Sequence, residues 1–170
     1  RSAMIVPLRL IKPEVAHEQE MRLQMAQGLA AGLALCLALY ALSQWLGSRD
    51  PMFLYYALTL IGVGLFFFAY YGLAPQHLWP DHAWLTDNAA PTFVLLGAGG
   101  AMLLIERLLD VRASAPRLAR LLQVLAMVAF AASAAFVLGI IGYRAASLAG
   151  TVLGPMPVLL GVHLAWRPAR

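Results

Sequence analysis

Residues 49–80 read RDPMFLYYALTLIGVGLFFFAYYGLAPQHLWP, and between Asp50 and Asp81 no side chain carries a formal charge. The Met52–Gly72 part is 21 residues of almost wholly apolar and aromatic character. As a helix rising about 1.5 Å per residue, a run of about 20 such residues is about 30 Å long, which matches the hydrocarbon core of a bilayer. The stretch is therefore read as a membrane span. Its ends differ: Arg49 stands at the start, whereas Tyr70, Tyr71, His77, Trp79 and Trp84 crowd the far end without a Lys or Arg. Basic residues mark the cytoplasmic side and amphipathic aromatics mark an interface, so the span is expected to enter from the cytoplasm and leave on the outer face.

The rest of the 170-residue chain has the same character, with 62% hydrophobic residues, 12% charged and a mean hydropathy of +0.76. Soluble domains carry about twice that charged fraction. The net charge of +4 and the pI near 9.6 do not call for nucleic acid, because the basic residues sit in short loops between apolar runs, where they orient the chain. The single cysteine, Cys36, excludes an intrachain disulfide framework or thiolate cluster. An Arg at position 1, with no signal-peptide pattern after it, reads as a piece of a longer protein.

Residues 1–22 mix apolar side chains with Arg9, Lys12, Glu14, Glu18, Glu20 and Arg22. Met4–Ile11, interrupted by Pro7 and closed by Pro13, suits the last strand of an extracytoplasmic domain, a short β remnant ahead of the bilayer. Residues 23–170 are the transmembrane part of an all-α, polytopic helical bundle. Its five spans are expected at about 24–46, 52–72, 88–109, 121–142 and 146–166. Gly28 and Gly32 in the first span and Gly150 and Gly154 in the fifth have small-xxx-small spacing, and Pro155 and Pro157 are expected to kink or break the last helix. The loop with His77, Asp81, His82 and Asp87 could in principle hold zinc, but its neighbours Trp79, Pro80 and Trp84 read better as a segment resting on the outer leaflet. Glu106 and Arg107 read as solvated charges at a helix end.

A charge count sets the orientation. With the N-terminus outside, Arg49, Arg107, Arg112, Arg117, Arg120, Arg167 and Arg170 lie inside and only Arg144 lies in an outer loop.

The chain lacks HExxH and GxSxG and has no pair of intramembrane acids, so no catalytic residue is expected. Only His163 is ionisable within a span, which speaks against a proton-coupled carrier. The only lysine, Lys12, lies outside the spans, so a retinal Schiff base has no partner here and no cofactor is expected.

PLRLIKPE before the first span, the block 49–80, WLTDNAAPTF, ERLLDVRASAPRLARLL and the closing AWRPAR together resemble the membrane domain of the bacterial seven-transmembrane receptors with diverse intracellular signalling modules (7TMR-DISM). The resemblance covers nearly the whole chain and implies five of seven spans, the chain stopping after the fifth. It implies a sensor in the bacterial inner membrane that passes an extracytoplasmic signal to an output domain, a diguanylate cyclase or histidine kinase, not present here. The partners to expect are membrane lipid, an extracytoplasmic small-molecule or carbohydrate ligand and a second copy in a homodimer. Candidate signal-handling residues are Tyr55, Tyr56, Tyr70 and Tyr71, with Trp79 and Trp84 at the outer mouth, because such side chains can line a pocket or hydrogen-bond between helices. Interfacial anchoring and ordinary packing account for them as well. A transporter or channel subunit is the alternative reading, and a plain anchor for an outer domain is a third.

Overall fold

The computed structural model describes residues 13–74 and 78–166, leaving aside the side chains of 13–20, 23, 24 and 165. Its regular elements are all helices: α1 (Pro13–Ser48), α2 (Pro51–Tyr70), α3 (Ala83–Leu108), α4 (Val111–Ser114), α5 (Pro116–Val137), α6 (Tyr143–Leu153) and α7 (Met156–Ala165). The proposed N-terminal strand lies almost wholly outside the described residues. Compactness divides the chain inside α1, into Arg1–Leu33 and Ala34–Arg170. The second unit holds everything that follows.

Five helical stretches are long and apolar enough to cross a membrane: Met25–Ser48, Pro51–Tyr70, Ala83–Leu108, Pro116–Val137 and Tyr143–Leu164. The chain is a multi-pass membrane protein with an all-α bundle.

Local chemistry sets the helix ends. Asp50 caps α2, its carboxylate accepting the Met52 N–H at 3.0 Å, and Pro51 occupies the first helical position, where its missing N–H costs nothing. Arg49 makes the preceding turn with φ 56°, its guanidinium 5.7 Å from the Trp45 ring centroid. Pro116 opens α5 in the same way as Pro51 opens α2. The fifth span is two helices, because Pro155 cannot donate to the turn before it and the chain breaks between Leu153 and Met156.

The third span begins at Ala83, ahead of the expected Asn88, so the later part of the segment read as a loop, from Ala83 on, is helical. Its polar side chains fold back onto the helix. Asn88 Nδ2 donates to the Trp84 carbonyl at 2.8 Å and Thr92 Oγ1 to that of Asn88 at 2.9 Å. Such bonds let polar residues sit in a helix near the membrane surface. Pro91, inside α3 and buried, leaves the Asp87 carbonyl without its helical donor.

The centre of the bundle is α3. Its most apolar stretch is 44% buried, against 11–28% for the other spans, and it packs against α2, α5, α6 and α7. Lipid tails are as apolar as leucine, so close packing rather than burial from water must hold such helices together. Glycine supplies it. A Cβ built on Gly62 of α2 would fall 2.5 Å from the backbone nitrogen of Gly97 on α3 and 2.6 Å from its Cα. One turn further along, a Cβ on Gly100 would fall 3.0 Å from the Thr59 nitrogen. On its other side α3 meets α5 through Leu95, Met102, Leu122, Ala126 and Ala129, all fully buried. Ser133 of α5 is buried too and donates across to the Thr92 carbonyl at 3.2 Å. The outward faces, with Val124, Met127, Leu148, Val152 and Leu159, are left to lipid.

Candidate functional site

The antiparallel packing of α2 on α3 sorts the chain's polar groups to two ends. At one end lie Arg49, Asp50, the last turn of α3, α4 and the start of α5, and with them Arg107, Arg112, Arg117 and Arg120. At the other lie Tyr70, Tyr71, Trp79, Trp84 and Tyr143.

The six sequence candidates therefore do not form one site. Tyr55, on the second turn of α2, is half-buried and lines a cleft at the charged end. Tyr70 is fifteen residues further along the same helix, about 22 Å away at the helical rise. Tyr56 is half-buried on α2. Tyr70 and Tyr71 are exposed and join Phe66 and Phe67 in a run of four rings, with neighbouring centroids 5.4–6.1 Å apart. Trp84 is 48% exposed at the start of α3. Trp79 stacks obliquely on Phe93 at 6.3 Å, and its indole Nε1 is buried with no acceptor among the described residues. Of the loop histidines, His82 is exposed and His77 lies outside the described residues.

The charged end holds a group that sequence reasoning placed in solvent. Glu106 is 9% exposed, because the last turn of α3 carries it inward, toward α5. Its Oε1 accepts a hydrogen bond from Gln123 Nε2 of α5 at 3.2 Å and forms an ion pair with the Arg112 guanidinium of α4, whose Nε lies 3.4 Å away. One carboxylate oxygen thus ties three helices together. The chain reaches it through Asp110, which turns α3 into α4 with φ 42°, a left-handed conformation that aspartate tolerates better than most residues. Around Glu106 a cleft of about 200 Å³ opens between the start of α2 and the ends of α3 and α5, lined by Tyr55, Leu103, Arg107, Asp110 and Arg112. The Arg112 side chain is 70% exposed, so its pairing is a surface clasp on a buried acceptor. The signal that could have revealed this was the pairing of a polar Gln123 inside an apolar run with an acid one loop earlier.

Such an arrangement can hold helix ends in register and can bind a charged group. It offers no nucleophile with an adjacent base, and among the described residues no cluster of three or more His, Cys, Asp or Glu is placed to hold a metal ion.

Compared with known proteins, residues 23–170 match a family described as 7TM diverse intracellular signalling. No curated protein and no solved structure matches the chain.

Proposed function

Because the chain belongs to the 7TM diverse intracellular signalling family (7TMR-DISM), and so is a membrane segment of a signalling receptor, we propose that it relays a ligand signal from outside the bacterial inner membrane to a cytoplasmic output domain. The family match over residues 23–170 carries this reading. The arginine-rich end around Glu106 is the cytoplasmic one, and the N-terminus is outside. The ligand is a small molecule or carbohydrate held ahead of α1, and the output is a diguanylate cyclase or a histidine kinase. Two copies acting together would bring two output domains side by side.

The geometry supports a relay through population shift. Helices that touch through glycine can change their packing without rebuilding side chains, and the Glu106 clasp registers α3 against α4 and α5 at the end where the output is joined. A ligand can bias such a pair of arrangements only by its difference in affinity for them. Tyr70, Tyr71, Trp79 and Trp84 are then the receiving end and Tyr55 the delivering end.

A transporter or channel subunit is the second reading, favoured by the break at Pro155 in the fifth span. Reading the coding sequence beyond Arg170 separates the two. Further spans leading to a GGDEF or kinase domain support the receptor; further spans without a soluble output domain overturn it.

A further inference from the structure

The cleft beside Glu106 holds more hydrogen-bonding capacity than the protein uses. Glu106 receives both of its partners on Oε1, and its Oε2 has none among the described residues. Arg112 approaches Glu106 with its Nε at 3.4 Å, and its guanidinium carries two terminal nitrogens besides, on a side chain that is 70% exposed. Arg107 and the Asp110 carboxylate, both exposed, and the Tyr55 hydroxyl have no side-chain partner among the described residues, yet all line the same cleft.

The sign of these groups narrows what can bind. A simple anion drawn to Arg107 and Arg112 would meet Glu106 and Asp110, and a simple cation drawn to the acids would meet the arginines. A ligand carrying both charges a few bonds apart satisfies all four. The position narrows it further. At about 39 Å, the 26-residue α3 is longer than the hydrocarbon core, so its last turn reaches headgroup level. We propose that this cleft binds a zwitterionic group with a primary ammonium and a phosphate, presented by phosphatidylethanolamine. The phosphate lies against Arg107 and the terminal nitrogens of Arg112. The ammonium donates to Glu106 Oε2 and Asp110. A volume of about 200 Å³ admits one such group. Choline lacks the N–H donors, and glycerol lacks the positive charge. The inference needs only that the helices cross a bilayer, so it stands or falls separately from the signalling role.

The test is competition among lipids. The purified chain is placed in bilayer discs of equal phosphatidylethanolamine, phosphatidylcholine and phosphatidylglycerol, and the lipid retained is counted by native mass spectrometry. We expect phosphatidylethanolamine to exceed each of the others about fivefold, the worth of one well-placed charged hydrogen bond. Arg107→Gln and Asp110→Asn should each bring that preference below about twofold. Both side chains are exposed, and asparagine accepts the left-handed backbone at 110, so neither variant should unfold the bundle. Arg144→Gln, at the opposite end, should leave the preference unchanged. Equal retention of phosphatidylethanolamine and phosphatidylcholine overturns the proposal, as does a preference for phosphatidylglycerol, which would mark a phosphate site only. So does a preference that survives both cleft variants. Displacement of the retained lipid by free phosphoethanolamine but not by free phosphocholine supports recognition of the headgroup, whereas displacement by both alike, or by neither, overturns it.

Discussion

Gly62 and Gly97 meet backbone to backbone at the crossing of α2 and α3, so close that a methyl group on the first would fall 2.5 Å from the amide nitrogen of the second. No side-chain rotation can relieve that contact, because the opposing atoms are main chain. Gly62→Ala should therefore push the helices apart and destabilise the bundle by about 1–3 kcal/mol, in the range of overpacked cores. Gly64→Ala, two residues on, meets nothing within 4 Å and should change stability by less than about 0.5 kcal/mol. Unfolding in mixed micelles on titration with a denaturing detergent measures both. Equal effects would show that the two helices do not cross at Gly62.

The Glu106 clasp predicts an asymmetric pair of variants. Gln123→Ala removes a donor from a buried carboxylate and should cost about 1–3 kcal/mol in the same assay. Arg112→Ala removes a partner that is itself 70% exposed, and should cost less than about 1 kcal/mol. If Arg112→Ala proves the more damaging, the ion pair rather than the helix-to-helix hydrogen bond holds this end.

Two serines in apolar surroundings should respond in opposite directions. Ser133 donates from α5 to the Thr92 carbonyl of α3, and Ser133→Ala should lose about 0.6 kcal/mol, the average for a hydrogen bond between membrane helices. The Ser147 hydroxyl is buried with no partner among the described residues. Ser147→Ala should therefore be neutral or raise stability by up to about 1 kcal/mol, since it removes an unsatisfied polar group. A loss at Ser147 would reveal a partner for its hydroxyl.

The spans were legible because a membrane demands long charge-free runs, and that demand overrides subtler preferences. The charge-free run Leu23–Ser48 sits on α1, which ends just before Arg49 resumes the charges, and all but the last two residues of the block Met52–Gly72 sit on α2. What stayed hidden depends on neighbours far away in the chain. Glu106, next to Arg107 and near Asp110, looks like part of a solvated cluster, and only the fold of α5 over α3 buries it. Glycine spacing drew attention to Gly150 and Gly154, and Gly150 does face a neighbour, with its Cβ position 2.7 Å from a methyl of Val94. The tightest contact, Gly62 on Gly97, carries no spacing signature on α2, where Leu58 and Phe66 stand four residues to either side of Gly62. The tyrosines and tryptophans were grouped by residue type, whereas the helix axis divides them between two ends of the bundle.

The orientation of the bundle can be read with thiol chemistry on the chain itself. Cys36 is the only cysteine, so Cys36→Ala gives a background without reactive thiols. Into it go Tyr71→Cys, at the aromatic end where the native side chain is 55% exposed, and, separately, Arg117→Cys, exposed at the start of α5. The antiparallel packing of α2, α3 and α5 puts these positions at opposite ends of the helices, hence on opposite faces of the membrane. With arginine marking the inside, a membrane-impermeant maleimide added to intact spheroplasts should label the cysteine at 71 and reach the one at 117 only after permeabilisation. The reverse pattern would turn the receptor over, placing the Glu106 cleft outside, and would remove the link between that cleft and a cytoplasmic output. Labelling of both from one side would contradict the bundle itself, because α2, with 20 residues and no charged side chain, would then not cross.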